Sequence, residues 1–166
     1  MGRWDRGVDF ETMYVLITRK MKLDKRSRCY FAILLTQLRN GARVSEAVRA
    51  FQTWLRSGRA EVEVKVSKRK DVVRLIVIPT EVLDMKAECV ELAVVNEKKL
   101  VERLKVFAKR RLGVNTHSLR YAFITYLLRQ GVSPAIVAKI TQHAKLDHIL
   151  TYTQQKAAED LLRRLV

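Results

Sequence analysis

Apolar residues recur at helical spacing along the first third of the chain. The stripe Phe31, Leu34, Leu35 and Leu38 shows this spacing, in which neighbours three and four residues apart share one face. The pattern predicts helices over residues 9–21, 24–39 and 45–56. Each begins at a residue able to cap a helix, and the last two are followed by a glycine that can end them. The predicted caps are Asp9, Asp24 and Ser45, and the glycines are Gly41 and Gly58.

The period of the pattern then changes to two residues. "AEVEVKV" at 60–66 alternates strictly, and "DVVRLIVIP" at 71–79 is rich in β-branched residues. Two such runs joined by a short polar segment are typical of a β-hairpin. The segment between them is "SKRK", so the predicted hairpin has a cationic tip.

Helical patterns return after the hairpin and continue to the end of the chain. Asn96 is a predicted N-cap with Gly113 at the helix end, and Ser133 followed by Pro134 is a typical helix start. The fold class predicted is therefore mainly α with a small antiparallel β-hairpin, in one domain. The predicted helices cover residues 81–93, 96–112, 116–131, the segment after Ser133, Leu146–Thr153 and 156–165.

The charge balance of the chain indicates the class of its binding partner. Thirty-three Lys and Arg against 17 Asp and Glu give a formal net charge of +16. The basic residues lie in short groups within the predicted elements, which suits a folded surface that follows a phosphate backbone. Nucleic acid is therefore the predicted partner. No apolar run approaches the roughly 20 residues of a membrane-spanning helix, and no signal peptide opens the chain.

The two cysteines, Cys29 and Cys89, stand far apart in the sequence and without metal-type spacing. Each falls in an apolar, helix-like segment. They are predicted to be reduced core thiols of an intracellular protein.

The stretch "NTHSLRYAFITYLLRQG" carries the first candidate chemistry. His117 and Arg120 are three residues apart in the first turn of a predicted helix, so both lie on one face at its N-terminus. The helix dipole and the free backbone N–H groups favour an anion at that position. A surface histidine beside a surface arginine is the ordinary alternative.

Three further segments make this sequence resemble the catalytic domain of the tyrosine recombinase (phage-integrase) family, which includes archaeal and viral integrases. "QLRNGARVSEAV" is similar to the family's first box and supplies Arg43. "THSLRYAFITYLLRQGVSPAIVAKITQH" is similar to the second box and its continuation, with His117, Arg120 and His143. Tyr152, nine residues after His143 in "TYT", matches the family's nucleophile. One departure is Gln142, where the family usually has glycine.

The family also places a lysine on the hairpin. Lys65, Lys68 and Lys70 compete for this position. Lys65 shares a strand face with Glu61 and Glu63, which is typical of a solvated face. Lys68 is favoured over Lys70 because counting back from "IVIP" places it near the family's lysine.

The resemblance implies a metal-free and cofactor-free transesterification at a DNA phosphodiester. Tyr152 would attack the phosphorus, and Arg43 and Arg120 would hold the phosphate oxygens, for which guanidinium forks are well shaped. His117 would help to accept the phenol proton. The resemblance further implies His143 as a hydrogen-bond donor to the phosphate and Lys68 as the general acid for the leaving 5′-oxygen.

The resemblance also sets expectations about assembly. The chain is expected to be the C-terminal catalytic domain without the family's N-terminal core-binding domain, and to be monomeric in solution. The partners that the resemblance implies are double-stranded DNA and other recombinase protomers assembled on it. Two alternatives stay open. One is an integrase remnant that binds DNA and is inactive alone, and the other is a non-catalytic helix-turn-helix protein built on "LLRQGVSPAIVAKITQHA".

Overall fold

A computed structural model describes residues 8–66, 69–143, 155 and 158–165, and of residues 69 and 70 it describes the backbone only. The described part is mainly helical with one two-stranded antiparallel sheet, which confirms the predicted fold class. The elements in chain order are α1 (Phe10–Leu23), α2 (Arg28–Asn40), α3 (Val44–Ser57), β1 (Glu61–Val66), β2 (Arg69–Val77), 3₁₀-helices at Thr80–Met85 and Val90–Val94, α4 (Glu97–Leu112), α5 (Thr116–Arg129) and α6 (Pro134–Thr141).

Helix α2 is the centre of the core. Its residues are buried on every side from Phe31 to Leu38, because α1, α3, α4 and α5 all pack against it. Burying one large apolar side chain contributes about 1.5–3 kcal/mol, so this helix gives its neighbours a fixed frame. The turn that joins the C-terminal end of α2 to α3 is held in place by these packed helices.

The first helix starts where the sequence predicts, and the next two do not. Asp9 caps α1, with its carboxylate accepting from the Thr12 N–H at 2.9 Å. Helix α2 begins after Ser27 instead of Asp24, whose carboxylate accepts from the Ser27 N–H and closes a turn ahead of the helix. The N-cap of α3 is Arg43, and Ser45 lies inside the helix.

The predicted helix over residues 81–93 is wrong. Two short 3₁₀-helices occupy this segment. The carbonyls of Leu92 and Val95 accept from the Gln52 side chain, and the Ala93 carbonyl accepts from Arg56. These carbonyls lie at the end of the segment, where an α-helix over residues 81–93 would also lack internal partners for them. Within the segment, the Leu92 N–H donates to the Cys89 carbonyl, which is the three-residue pattern of a 3₁₀-helix.

The predicted hairpin is confirmed. Strand β1 pairs antiparallel with β2, with Glu61 opposite Val77, and the inward valines of β1 are buried. Strand β2 begins at Arg69, two residues earlier than the pattern indicates, and the register shifts between Lys65 and Val66. Lys65 is exposed, as predicted for a solvated face. Lys68 lies outside the described residues.

The prediction of reduced cysteines is wrong, because Cys29 and Cys89 form a disulfide with their Cα atoms 5.6 Å apart. The start of α2 packs against the turn between the two 3₁₀-helices, which brings together residues 60 positions apart in the chain. Both residues do lie in or against the core, as their apolar surroundings indicate.

The C-terminal part of the chain is described only in places. Residues 158–165 are helical, in agreement with the predicted C-terminal helix, whereas the predicted helix at Leu146–Thr153 lies outside the described residues. In the part of the chain that is described, no helix has the length and apolar character needed to cross a membrane.

Candidate functional site

The site is built on the turn between α2 and α3. Gly41 ends α2 in the left-handed conformation, with φ of 57°. A Cβ on this residue would lie 2.2 Å from the ring of Phe123 on α5. Both the backbone angle and the close approach therefore require glycine. The turn places Arg43 at the start of α3 and directs the Gly41 carbonyl toward α5.

Glu46 is a fully buried carboxylate in the first turn of α3, and three arginines surround it. Its oxygens lie 2.9 Å from Arg43, 3.6 Å from Arg74 and 4.0 Å from Arg120. It also accepts from the Arg43 backbone N–H, which makes it the carboxylate of the helix cap. We call Glu46 with these three residues the arginine cluster. Its formal charges sum to a net positive value, which suits an anionic ligand.

Arg120 is the most enclosed cation of the cluster. It is 1% exposed and donates to the carbonyl of Gly41 at 2.8 Å and to that of Thr141 at 3.2 Å. Burial, with a smaller effect from Arg43, lowers the pKa of Arg120 to about 9. Arg120 is therefore still cationic at neutral pH, and its guanidinium links α2, α5 and α6.

Arg74 is the member of the cluster that sequence reasoning missed. It lies on the buried face of β2, donates to the carbonyls of Asn40 and Gly41, and its Nε has no partner among the described residues. Burial lowers its pKa to about 10, with Glu46 opposing the change. The sequence does contain a signal, because Arg74 shares its strand face with Ile76 and Ile78 and is thus a charge at an inward position.

His143 joins the cluster from the end of α6. Its Nδ1 lies 3.2 Å from Arg120 Nη2 and 2.8 Å from the Thr141 hydroxyl. Nε2 lies 3.4 Å from the same Arg120 nitrogen, so both ring nitrogens face a guanidinium, which can only donate. The Thr141 hydroxyl donates to the Val137 carbonyl, so its oxygen is an acceptor toward Nδ1. Gln142 holds the preceding position with φ of 55°, the left-handed conformation in which the family's glycine is expected.

His117 lies one helical turn before Tyr121 on α5, and its side chain is exposed. The rings of His117 and Tyr121 meet edge to face at 5.5 Å, and the ring of Tyr121 lies 6.3 Å from that of His143. Tyr121 therefore separates two histidines. The N-cap of α5 is Asn115, which accepts from the Ser118 N–H, instead of the predicted Thr116.

The structure thus brings four of the six sequence-predicted residues into one continuous site: Arg43, His117, Arg120 and His143. Tyr152 and Lys68 lie outside the described residues, as does His148. Within the described ranges, no three His, Cys, Asp or Glu side chains come together as metal ligands. The described site gathers three arginines around one buried carboxylate, with two histidines nearby, and its net positive charge suits an anionic ligand.

These features define the class as a mainly α protein with a cationic, anion-directed site, and comparison with known proteins identifies the family. Over 169 residues the chain is 43% identical to "Putative integrase ORF241" of Acidianus two-tailed virus, with 99% of this chain and 69% of that protein covered. It is 31% identical over 201 residues to "Uncharacterized protein MJ0770" of Methanocaldococcus jannaschii, covering 99% and 89%. It is also 31% identical over 161 residues to "Putative integrase V10" of Sputnik virophage, covering 82% and 71%.

The chain therefore belongs to the integrase family that these viral proteins represent. No protein-family model matches the chain, and no solved structure matches it.

Proposed function

We propose that this protein is the catalytic domain of a tyrosine-type site-specific DNA recombinase. The observation that carries the proposal is the arginine cluster, in which Arg43 and Arg120 flank one buried carboxylate while His143 contacts Arg120. The relationship to viral integrases supports DNA as the substrate. The family resemblance of Tyr152 and Lys68 supplies the remaining groups.

The proposed reaction is an attack of the Tyr152 phenol oxygen on the phosphorus of a DNA phosphodiester. A bond forms between that oxygen and phosphorus, and the bond from phosphorus to the 5′-oxygen breaks. The phenol loses its proton and the leaving 5′-oxygen gains one, so the product is a 3′-phosphotyrosyl link and a free 5′-hydroxyl. A 5′-hydroxyl of another strand reverses the step, and because the covalent link retains the bond, rejoining needs no ATP.

The arginine cluster has the charge that this step requires. Attack on phosphorus builds negative charge on the non-bridging oxygens, and fixed cationic donors stabilise that charge. The Arg43 side chain is 17% exposed and that of Arg120 is 1% exposed, so Arg43 has the guanidinium that a phosphate reaches more easily. Removing one fixed donor of this kind typically costs about 10²–10³ in rate.

The two histidines and the hairpin lysine take the proton-handling and positioning roles. His143 takes the role that the resemblance implies, a hydrogen-bond donor to a phosphate oxygen, and its ring lies against Arg120 and Thr141. His117, exposed at the start of α5, helps to accept the phenol proton. Lys68 donates the proton to the 5′-oxygen.

The experiment that tests this proposal uses nicked duplexes of random sequence, labelled at the 5′ end of the strand to be cut. A nick a few bases beyond the cut lets the short 5′-hydroxyl fragment diffuse away, so the covalent product accumulates. We expect a labelled protein–DNA adduct that resists denaturation and is abolished by Tyr152→Phe. Tyr121→Phe is the matched control, since it removes a phenol from the described site, and we expect its adduct to remain. An adduct that survives Tyr152→Phe would contradict the proposal.

A second candidate is an integrase domain that binds DNA and cleaves it only in an assembly. The burial of Arg120 favours it, since a guanidinium 1% exposed has little surface to offer a phosphate before the site rearranges. DNA binding without any adduct from the isolated chain, followed by an adduct when further protomers are assembled on the same DNA, would select this candidate.

A further inference from the structure

A groove of about 620 Å³ runs beside the candidate site, between α4 and the start of α5. Lys105, Lys109 and Arg110 line it from α4, and His117 lines it from α5. The groove therefore shares a lining residue with the candidate site, although the resemblance assigned no role to α4. We call these three cations and their helix face the α4 groove.

The cations of the α4 groove differ in their bonding. Lys105 is 3.2 Å from Glu102, an exposed ion pair of the kind that contributes little. The side chains of Lys109 and Arg110 are exposed and make no hydrogen bond or ion pair with any other described residue. Arg111, the next residue, is held 2.7 Å from Asp24 and lies over the rings of Phe31 and Phe107.

An ordinary explanation for basic residues here is the helix dipole, which favours cations in the last turn. Lys109, Arg110 and Arg111 all lie in that turn. The dipole accounts for their presence in the turn. It does not account for two cations that line the same groove as His117, since any outward direction would satisfy the dipole equally.

We propose that the α4 groove binds the phosphates of the DNA strand that adjoin the phosphodiester held by the arginine cluster. The proposal rests on the proposed function and assigns it a contact surface. From Lys105 to Lys109 α4 rises about 6 Å. One strand of B-DNA carries a phosphate about every 3.4 Å of its axis, so the groove spans about two phosphates. Val106, 57% exposed on the groove wall, offers an apolar contact to deoxyribose.

The test is the salt dependence of DNA binding, measured by fluorescence anisotropy with the full chain and a labelled duplex. The variant is Lys109→Gln with Arg110→Gln. The matched control is Arg59→Gln with Lys86→Gln, which removes the same charge. Gly58 and Arg59 follow the C-terminal end of α3, about 20 Å along the helix from Arg43, and the Lys86 ammonium lies beside Gly58.

Each phosphate contact contributes about −0.9 to the slope of log affinity against log salt. We therefore expect the α4 variant to lower the magnitude of that slope by about 2 and the affinity at 0.1 M salt by roughly 10- to 60-fold. The control is expected to change the slope by less than about 0.5.

Equal losses in the two double variants would overturn the inference, because charge alone would then explain binding. If the wild-type chain forms the Tyr152-dependent adduct and the α4 variant binds like wild type, the inference fails and the proposed function stands. If no adduct depends on Tyr152, yet the α4 variant loses the expected slope, the surface assignment stands and the catalytic proposal fails.

Discussion

The arginine cluster and the α4 groove are both rich in arginine and lysine, yet they use these residues in opposite ways. In the cluster, Arg74 and Arg120 are almost completely buried, and their guanidinium groups are held by backbone carbonyls and by Glu46. In the groove, Lys109 and Arg110 are exposed and have no partner among the described residues.

The difference shows how burial changes what a cation can do. A buried arginine has fixed geometry, and the cost of removing it from water appears as a lowered pKa, about 9 for Arg120 and about 10 for Arg74. An exposed cation has no fixed geometry and interacts with phosphate mainly through charge, so salt weakens it. The cluster is therefore suited to hold one phosphate in place, and the groove to attract its neighbours.

The largest expected effect comes from removing the carboxylate at the centre of the cluster. Glu46→Gln leaves the three arginines with less compensation in a buried site, and breaking a buried ion pair of this kind costs about 3–5 kcal/mol. We expect a loss of that size in the free energy of unfolding, measured by urea denaturation. Glu63→Gln, at an exposed position on β1, is the control, with an expected change within about 0.5 kcal/mol. Equal effects would show that the cluster is not organised by Glu46.

The next effect comes from the turn that carries the cluster. Gly41→Ala forces a side chain into the left-handed conformation and against the Phe123 ring. We expect a loss of about 2–3 kcal/mol in the free energy of unfolding. Gly113→Ala is the control: φ there is 71°, and a Cβ would meet nothing within 4 Å. The backbone cost alone, about 1 kcal/mol, is expected there. A Gly41→Ala variant no less stable than Gly113→Ala would contradict the close packing at this turn.

Arg74→Met separates charge from packing. Met fills a similar volume, but Arg74→Met removes the hydrogen bond to the Asn40 carbonyl and one of the three cations near Glu46, while Arg43 and Arg120 remain. We expect a loss of about 1–3 kcal/mol in the free energy of unfolding. The rate of adduct formation is expected to fall about 10-fold, because one cation near the phosphate is lost. Arg39→Met, at an exposed position on α2, is the control and should leave the rate unchanged.

The smallest effect concerns Asp24, which holds Arg111 away from the α4 groove. The hydrogen bond from Arg111 lowers the pKa of Asp24, with help from the Ser27 N–H. A carboxyl whose pKa is lower in the folded state stabilises the fold above its unfolded pKa of about 4. That stabilisation is lost as pH falls through the lowered value.

We therefore expect stability to fall less steeply below pH 4 in Asp24→Asn than in the wild type, measured by denaturation at a series of pH values. Asp84→Asn removes an exposed carboxylate that makes no hydrogen bond to another described residue, and it should leave the pH dependence as in the wild type. An unchanged pH dependence in Asp24→Asn would show that the contact with Arg111 does not contribute.

Local patterns were sufficient for most of the elements and for four members of the site. Helix α4 has the bounds that Asn96 and Gly113 indicate, and α6 begins where Ser133 and Pro134 indicate. Arg43, His117, Arg120 and His143 were selected by motif, and the structure brings them together. The motifs identify these residues because their spacing places the side chains at defined helix ends.

Features that depend on distant contacts were missed. The disulfide joins residues 60 apart, and side chains of α3 bind carbonyls at the end of the segment that forms the 3₁₀-helices. Arg74 reaches the site because β2 packs on the turn after α2. The hydrophobic periodicity of a single segment does not predict such a contact. The inward position of this charge in its strand was the available signal.

The central claim is that the arginine cluster binds the phosphate that is cleaved, and a neutral substrate tests it most directly. Arg43→Ala removes the more accessible fork while Arg74 and Arg120 remain near Glu46. The rate of adduct formation is measured with an ordinary phosphodiester and with a methylphosphonate, which lacks one charged oxygen, at the cleavage position. The account predicts that Arg43→Ala loses at least about 100-fold on the phosphodiester and recovers most of the wild-type rate on the methylphosphonate. An equal loss on both substrates, in a variant that unfolds like the wild type, would contradict it.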